Sequence, residues 1–344
     1  MTSLQSAVID LRSDTITRPD ADMRAAMASA EVADNVLDGD PTVEELEERT
    51  AELLGMSAAL WTPTGTMANL VALSVHLTRG DRFLAAAGAH VLNNELGSAA
   101  WFAGGMPAAL EHDAGPGRPS ASTLNEAAGP SQVPYFMLRA TLVCLENTHN
   151  AAGGAITPPE EHARLVAAAQ DRGLAVHLDG ARIWNAATAL GVPPAALTVG
   201  VDSVSACFSK GLGAPAGSVV AGSTEFITEA RRVRHMLGAG LRQAGVLAAT
   251  CHRALDNTAA LADDHTNATT LATGLREQGW EVNDPETNIV LANVADVNHA
   301  IQRLDELGIS ALPMAGQIRF VTHRDVCAGD INEALRRMKT GKLH

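Results

Sequence analysis

The sequence is short of positive charge. Lysine and arginine together number 25 against 39 aspartate and glutamate residues, and the formal net charge is −14. Proteins that bind nucleic acid present a basic surface to the phosphates, so we expect no nucleic-acid partner. A small anionic ligand would instead need a local cluster of arginine and lysine side chains.

Cysteine is also scarce, and no two cysteines form a CxxC pair. The four are widely separated: Cys144, Cys207, Cys251 and Cys327. This spacing argues against a disulfide framework and a structural zinc site, and it is typical of a reducing compartment. No cluster of candidate ligands for a catalytic metal stands out, so we expect no metal.

Long apolar runs are missing as well. Residues 1–14 lack a basic segment followed by an apolar run, so we expect no signal peptide. The longest uncharged stretch, residues 183–201, contains Asn185, Gly191 and the Pro193-Pro194 pair. It therefore predicts a helix and a loop, and no membrane span. The sequence is interpreted as that of a cytoplasmic protein without membrane contact.

The sequence does contain short apolar runs that alternate with segments of helical period. The runs have the length of β-strands and lie at residues 58–61, 83–86, 140–145, 174–178, 203–208 and 217–221. The pattern predicts an α/β fold with a mostly parallel sheet. An amphipathic helix is predicted over residues 42–54, with a capping box formed by Thr42 and Glu45 and with Gly55 after its end.

The pattern changes at about residue 251. A long polar helical segment (residues 258–278) leads to short strands near residues 288–292, 310–313 and 318–322, with helices at 297–307 and 331–338. We therefore predict two domains. Residues 1–250 form a large domain with an N-terminal arm, and residues 251–344 form a smaller α+β domain.

Two candidate residues lie at the ends of predicted apolar strands: Asp179 directly after residues 174–178 and Lys210 shortly after residues 203–208. Ligands of open α/β sheets bind at this edge of the sheet, where the amine of Lys210 could form a Schiff base. Asp179, in the run His177-Leu178-Asp179-Gly180-Ala181-Arg182, could hold the ring nitrogen of pyridoxal phosphate (PLP) in its protonated form. Taken alone, Lys210 could be a solvated surface charge and Asp179 a helix cap.

A third segment, Pro63-Thr64-Gly65-Thr66-Met67, follows a strand and begins a helix. Free backbone N–H groups and the helix dipole make such a turn suitable for a phosphate. An ordinary capped turn between strand and helix would have the same sequence.

Histidines and arginines supply the remaining candidates. His90 and His149 follow apolar strands, where an imidazole could remove a proton from a hydroxyl group or stack on a cofactor ring. A guanidinium group suits a substrate carboxylate, and the candidates are Arg12, Arg182, Arg242 and Arg319. Each of these residues alone could equally be structural or exposed.

In order along the chain, these segments resemble the low-specificity L-threonine aldolases, which are PLP enzymes of fold type I, the aspartate-aminotransferase-like fold. The resemblance covers nearly the whole chain. Further runs that carry it are Ile9-Asp10-Leu11-Arg12-Ser13-Asp14-Thr15, Asp40-Pro41-Thr42-Val43, Leu145-Glu146-Asn147-Thr148-His149-Asn150, Leu212-Gly213-Ala214-Pro215, Arg242-Gln243-Ala244-Gly245 and Ile318-Arg319.

The resemblance implies retro-aldol cleavage of β-hydroxy-α-amino acids to glycine and an aldehyde. Lys210 would carry PLP, Asp179 would bind its ring nitrogen, and His90 would stack on its ring. The cofactor phosphate would be held by Gly65, Thr66, Ser209 and, from a neighbouring subunit, Arg242. The substrate carboxylate would be bound by Ser13, Arg182 and Arg319. His149 and His90 would lie near the β-hydroxyl. It also implies a homotetramer, a dimer of dimers.

Some positions depart from the family pattern. Leu37, Asp38 and Gly39 replace a Tyr-Gly-Glu run, Asn94 stands where an aromatic residue is frequent, and Ala151 replaces a basic residue. The cofactor chemistry is therefore more firmly indicated than the substrate. β-Elimination, racemisation and transamination on the same fold remain alternatives, as does a non-catalytic paralogue.

Overall fold

The computed structural model describes residues 8–341. Residues 1–7 and 342–344 lie outside the described residues. They include half of the segment in which no signal peptide is expected (residues 1–14), the first residues of the predicted large domain and the last residues of the predicted small domain. The strands are β1 (Ile9–Asp10), β2 (Ala58–Thr62), β3 (Arg82–Ala86), β4 (Met106–Leu110), β5 (Ala140–Glu146), β6 (Ala175–Gly180), β7 (Ser203–Cys207), β8 (Ser218–Gly222), β9 (Glu281–Val282), β10 (Ile289–Asn293), β11 (Ile309–Ser310), β12 (Leu312–Met314) and β13 (Gln317–Val321).

Helices connect most of these strands. They are α1 (Ala21–Ser29), α2 (Pro41–Leu53), α3 (Gly65–His76), α4 (His90–Asn93), α5 (Ala121–Ala128), α6 (Pro159–Asp171), α7 (Ile183–Leu190), α8 (Thr224–Met236), α9 (Gly245–Asp256), α10 (Leu261–Glu277), α11 (Val297–Glu306) and α12 (Ala328–Gly341). Within residues 8–341, no helix combines the length and the apolar character needed to cross a membrane.

The large sheet has seven strands in the order β2-β8-β7-β6-β5-β3-β4. Its neighbouring strands are parallel except at β8, which runs antiparallel to both β2 and β7. Successive side chains point to opposite faces, so Leu60 packs with α3 and α8 while Trp61 packs on the other face, where α2 covers the strand. The predicted α/β fold with a mostly parallel sheet is confirmed.

The C-terminal part forms a four-stranded antiparallel sheet in the order β12-β13-β10-β9. Its core residues come from α10, α11 and α12 together with Ile9 and Leu11 from the start of the chain. β1 pairs in parallel with β11, so the N-terminal segment packs against the C-terminal sheet. The boundary between residues 250 and 251 stays a prediction.

The start of α2 differs from the prediction. Asp40 is the N-cap, and its side chain accepts a hydrogen bond from the Val43 amide, while Pro41 occupies the first helical position. Proline suits that position because its fixed φ is helical and its missing N–H would be unpaired there. The Thr42 hydroxyl donates to the Glu31 carbonyl at 2.6 Å, so the predicted capping box at Thr42 and Glu45 is wrong.

Candidate active site

The residues predicted to hold a cofactor lie at the carboxyl ends of neighbouring strands. Lys210 follows β7, Asp179 is the next-to-last residue of β6, and His90 begins α4 shortly after β3. Parallel strands end at the same edge of a sheet, and these three residues line one cavity of about 350 Å³. Arg319 of β13 lines the opposite side, so the cavity lies between the two sheets.

The loop of Lys210 is fixed by its backbone. Its carbonyl accepts hydrogen bonds from the Thr17 hydroxyl at 2.7 Å and from the Gly213 amide at 2.9 Å. Among the residues described, none forms a hydrogen bond or a close ion pair with the amine of Lys210. The amine is therefore available to react with a carbonyl group.

Asp179 is buried and stays ionised. Burial alone would raise the pKa of its carboxyl, but the charges of Lys210 and His90 lower this pKa, as do hydrogen bonds from the Asn69 side chain at 2.8 Å and from the Ala181 amide at 3.0 Å. A buried carboxylate of this kind can accept a hydrogen bond from a protonated ring nitrogen.

Asn69, which was not predicted from the sequence, holds this carboxylate in place by a side-chain hydrogen bond. Its amide nitrogen donates to both Asp179 Oδ2 and Glu95 Oε1 at 2.8 Å. Its oxygen accepts from the Ser205 hydroxyl at 2.7 Å and lies 3.2 Å from His177 Nε2. Burial, together with the nearby His76, lowers the pKa of His177 to about 3, so this histidine is neutral. The network therefore sets the orientation of the Asn69 amide.

His90 is half-buried beside Glu95. Its Nδ1 lies 2.8 Å from Glu95 Oε1, and this hydrogen bond, aided by Asp179, raises the pKa of His90 against the opposing effect of burial. Potential metal-binding atoms of His90, Glu95 and Asp179 lie within 4.8 Å of one another. However, the Asn69 amide donates to both carboxylates and so occupies lone pairs that a cation would use. The predicted absence of a metal stays a prediction.

The predicted phosphate turn begins α3. Thr64 is the N-cap and its hydroxyl accepts from the Met67 amide, which leaves the first amide groups of the helix pointing outward. A Cβ at Gly65 would lie 2.6 Å from the Cys207 sulfur, so a side chain would not fit here. Thr66 is exposed and Ser209 is half-buried next to Lys210. These residues can form a phosphate cradle.

Arg242 lies elsewhere in this chain. It is exposed, does not line the cavity, and its Nη1 lies 3.3 Å from Asp34 Oδ1. The Arg242 side chain therefore does not reach the cavity of its own chain.

Arg182 is already paired. Its Nε and Nη2 each donate to the Asp14 carboxylate at 2.7 Å, and both side chains are buried. Although burial opposes ionisation, the charge of Arg182 holds the pKa of Asp14 well below its usual value. The third nitrogen of Arg182, Nη1, donates to Asn150 Oδ1 at 3.2 Å. Arg182 thus lines the cavity with most of its hydrogen-bonding capacity in use.

Arg319 has one donor left over after its contacts with the described residues. Its Nη1 donates to Asn150 Oδ1 at 3.0 Å and its Nη2 to the Arg12 carbonyl at 3.1 Å. Its buried Nε has no partner among the residues described. Burial and then the neighbouring Arg182 lower the pKa of Arg319 to about 10, so it is charged at neutral pH. With the half-buried Ser13 on the same wall, Arg319 can bind a carboxylate. Arg12, the other arginine considered, is exposed and pairs with Asp10.

His149 is 1% exposed and packs edge-on against His112, with 5.2 Å between the ring centres. Burial and then His112 lower the pKa of His149 to about 4, so it is neutral at pH 7. Its Nδ1 accepts from the Ala152 amide at 3.2 Å, which places the ring proton on Nε2. Nε2 is buried without a partner among the residues described and can donate a hydrogen bond. His149 does not contribute to the cavity wall itself.

Glu146 is a second residue that the sequence analysis missed. It lines the cavity, and its two oxygens accept from the His90 amide at 2.6 Å and from the Asn150 amide at 2.7 Å. Burial and then the charge of Asp179 raise the pKa of Glu146 to about 7. Its position as an acid at the end of an apolar strand was the available sequence signal. Of the departures from the family pattern, Asn94 lines the cavity, whereas Leu37 is 76% exposed and does not.

These observations fit PLP. The cavity combines an ionised buried carboxylate with an amine that has no partner among the described residues. The start of α3 lies outside the cavity lining, and its Gly65 packs against Cys207 with no room for a side chain. Lys210 would carry the cofactor, Asp179 would face its ring nitrogen, and the amides after Thr64 would face its phosphate.

Comparisons with known proteins agree with this geometry. Residues 10–297 match the family described as beta-eliminating lyase. A probable low-specificity L-threonine aldolase 2 of Arabidopsis thaliana is 40% identical, over 95% of both chains. The low specificity L-threonine aldolase of Escherichia coli strain K12 is also 40% identical, over 95% of this chain and 97% of the relative.

A solved structure shares the fold. The threonine aldolase of Leishmania major superposes with a TM-score of 0.83 at 17% identity, covering 98% of this chain and 100% of the other. The sequence comparisons set the family: this chain belongs to the beta-eliminating lyases and, among them, to the low-specificity L-threonine aldolases.

Proposed function

We propose that this protein is a PLP-dependent lyase that cleaves L-threonine, L-allo-threonine and related β-hydroxy-α-amino acids to glycine and an aldehyde. The observation that carries the proposal is the set of groups in one cavity. Asp179 offers an ionised carboxylate, and within residues 8–341 the amine of Lys210 and the buried Nε–H of Arg319 have no partner. Relatives of about 40% identity named as L-threonine aldolases support the choice of reaction.

Bound PLP supplies a ring that, when its nitrogen is protonated, withdraws electrons from the α-carbon of the substrate. Asp179 accepts a hydrogen bond from that nitrogen and so keeps its proton in place. Lys210 would provide the amine that holds the cofactor. His90 would stack on the ring, and its Nδ1 is held by Glu95.

The substrate is recognised by residues on the side of the cavity opposite Lys210 and Asp179. Arg319 and Ser13 bind the α-carboxylate, and Arg182 supports them through Asn150, which both arginines contact. Fixing the carboxylate orients the Cα–Cβ bond for cleavage. Cleavage also requires that the β-hydroxyl loses its proton. We place His90 and His149 near that hydroxyl. His90, whose Nδ1 is paired with Glu95, would accept the proton on Nε2, and His149, just behind the cavity wall, would support it from Nε2–H.

We also propose a cytoplasmic homotetramer, arranged as a dimer of dimers. The exposed position of Arg242, away from the cavity of its own chain, supports a role in the phosphate site of a neighbouring subunit. Light scattering coupled to gel filtration measures the oligomer. A monomer that binds PLP would contradict the shared site.

The reaction is tested with purified protein, PLP and either L-threonine or L-allo-threonine, with acetaldehyde followed by a coupled alcohol dehydrogenase. Lys210→Ala is the inactive variant, and Lys339→Ala on α12 is the matched control. We expect acetaldehyde from wild type and from Lys339→Ala, and none from Lys210→Ala. A keto acid with ammonia would favour β-elimination instead. Absorbance of bound PLP without any product from threonine or phenylserine would overturn the aldolase assignment.

A further inference from the structure

The cavity wall is polar except on one side. β12 contributes Leu312, Pro313 and Met314, and the remaining wall has Ala181 as its only other apolar residue among those described. β12 is an edge strand of the small sheet, and Leu312 keeps 39% of its surface exposed. A strand of three apolar residues that faces a cavity and stays partly exposed indicates a contact with an apolar group from outside the chain.

The strand register places this apolar surface next to the carboxylate site. Leu312 lies directly opposite Arg319 in the antiparallel pair of β12 and β13. Side chains of directly opposed residues lie on the same face of a sheet, and residues two apart on one strand share a face. Leu312 and Met314 therefore form a short apolar surface beside the guanidinium of Arg319.

This inference rests on the proposed function, which assigns residues to each polar group of a β-hydroxy-α-amino acid. The amino group belongs with Lys210, the carboxylate with Arg319 and Ser13, and the hydroxyl with the histidines. The group left over is the substituent on Cβ, which becomes the side chain of the aldehyde. It is also the part of the substrate that differs between threonine and its bulkier analogues.

We propose that β12, through Leu312 and Met314, contacts the Cβ substituent and determines which aldehyde the enzyme releases. Both side chains are unbranched at Cβ and carry no hydrogen-bonding group, so they can adapt to substituents of different size. The surface is open to solvent at Leu312 and Pro313. Such a wall favours larger apolar substituents without imposing one shape, and the enzyme gains affinity in proportion to the apolar area covered.

The test compares kcat/KM for L-threonine, with a methyl substituent, and for L-phenylserine, with a phenyl substituent, in the holoenzyme. Met314→Gln keeps the length of the side chain and removes its apolar character. Met106→Gln on β4, outside the cavity and 53% exposed, is the matched control. We expect Met314→Gln to lower kcat/KM for phenylserine about three- to tenfold more than for threonine. The glycine affinity, read from the absorbance of bound PLP, should stay within about twofold.

Equal losses for both substrates, or no change for either, would overturn the role of β12 while leaving the proposed reaction intact. An altered glycine affinity of the same size would do so as well, because glycine has no Cβ substituent. Wild type that releases no aldehyde from either substrate would instead remove the reaction and this inference together. Leu312→Asn provides a second variant at the position next to Arg319, with the same expected preference.

Discussion

Glu146 and Asp179 lie directly opposite each other at the carboxyl ends of β5 and β6, and their pKa values shift in opposite directions. Burial opposes ionisation of both carboxyls. Lys210, His90 and Asn69 compensate for it at Asp179, whereas at Glu146 the charge of Asp179 adds to the effect of burial. Below about pH 7 the pair therefore holds its negative charge on Asp179, the residue that would face the cofactor.

This relationship predicts a pH dependence of stability. The pKa of Glu146 in the folded protein, about 7, lies above its ordinary value of 4.5, so ionisation of Glu146 opposes folding. The cost is absent below about pH 4.5 and complete above about pH 7. We expect the free energy of unfolding of the cofactor-free wild type, relative to Glu146→Gln, to fall as the pH rises from 5 to 8. Urea titrations of both proteins measure this, and a difference that stays constant over that range would contradict the assigned pKa.

Loss of Arg319 should weaken substrate binding and spare the cofactor. Arg319→Gln removes a charge that can bind the carboxylate, and hydrogen bonds to charged groups contribute about 1.5–3 kcal/mol. We expect KM for the amino acid to rise roughly ten- to hundredfold, with the absorbance of bound PLP unchanged. Arg336→Gln, on the surface of α12, should behave as wild type. An unchanged KM in Arg319→Gln would place the carboxylate elsewhere.

The buried pair of Asp14 and Arg182 should be far more important for stability than an exposed pair nearby. Asp14→Asn leaves the buried guanidinium without its counter-charge, which costs about 3–5 kcal/mol. The exposed ion pair of Arg12 with Asp10 provides the comparison, and Asp10→Asn should cost less than about 1 kcal/mol. Urea denaturation of both variants gives the two values. Similar losses would show that burial does not decide the strength of this pair.

The turn between β12 and β13 contains a strained residue. Ala315 has a φ of +48°, in the left-handed region that favours glycine. We expect Ala315→Gly to stabilise the protein by about 0.5–1 kcal/mol, because relief of strain outweighs the added freedom of the unfolded chain. Ala167→Gly, at an exposed position in the middle of α6, should have the opposite sign, with a loss of about 1 kcal/mol. Thermal unfolding measures both, and a destabilised Ala315→Gly would show that the turn is not strained.

The fold could be predicted where the local pattern was strong. The strands that precede Lys210, Asp179 and His90 are apolar runs with clear ends, and strand ends fix which residues meet at the edge of a parallel sheet. β4 was missed because Met106-Pro107-Ala108-Ala109-Leu110 has no β-branched residue and contains a proline. Pairing with β3 at the edge of the sheet makes it a strand.

The supporting residues of the site could not be predicted in the same way. Asn69 contacts Asp179 across 110 residues, and nothing on α3 distinguishes this asparagine from an ordinary helix residue. The two amide contacts of Glu146 likewise join loops that come together only in the folded chain. Long-range contacts of this kind depend on packing, which a periodic pattern does not encode.

The two sheets divide the cavity between them. The large sheet holds the residues that would control the charge of a bound cofactor, and the small sheet presents Arg319 and the hairpin from Leu312 to Gln317. Because the hairpin is an edge element joined to the rest of the small sheet through β13, its tip can be exchanged for a longer or differently shaped loop without disturbing Asp179 or Asn69. Variant libraries confined to residues 312–317 should therefore yield enzymes that release other aldehydes, while the residues of the large sheet that would contact the cofactor stay unchanged.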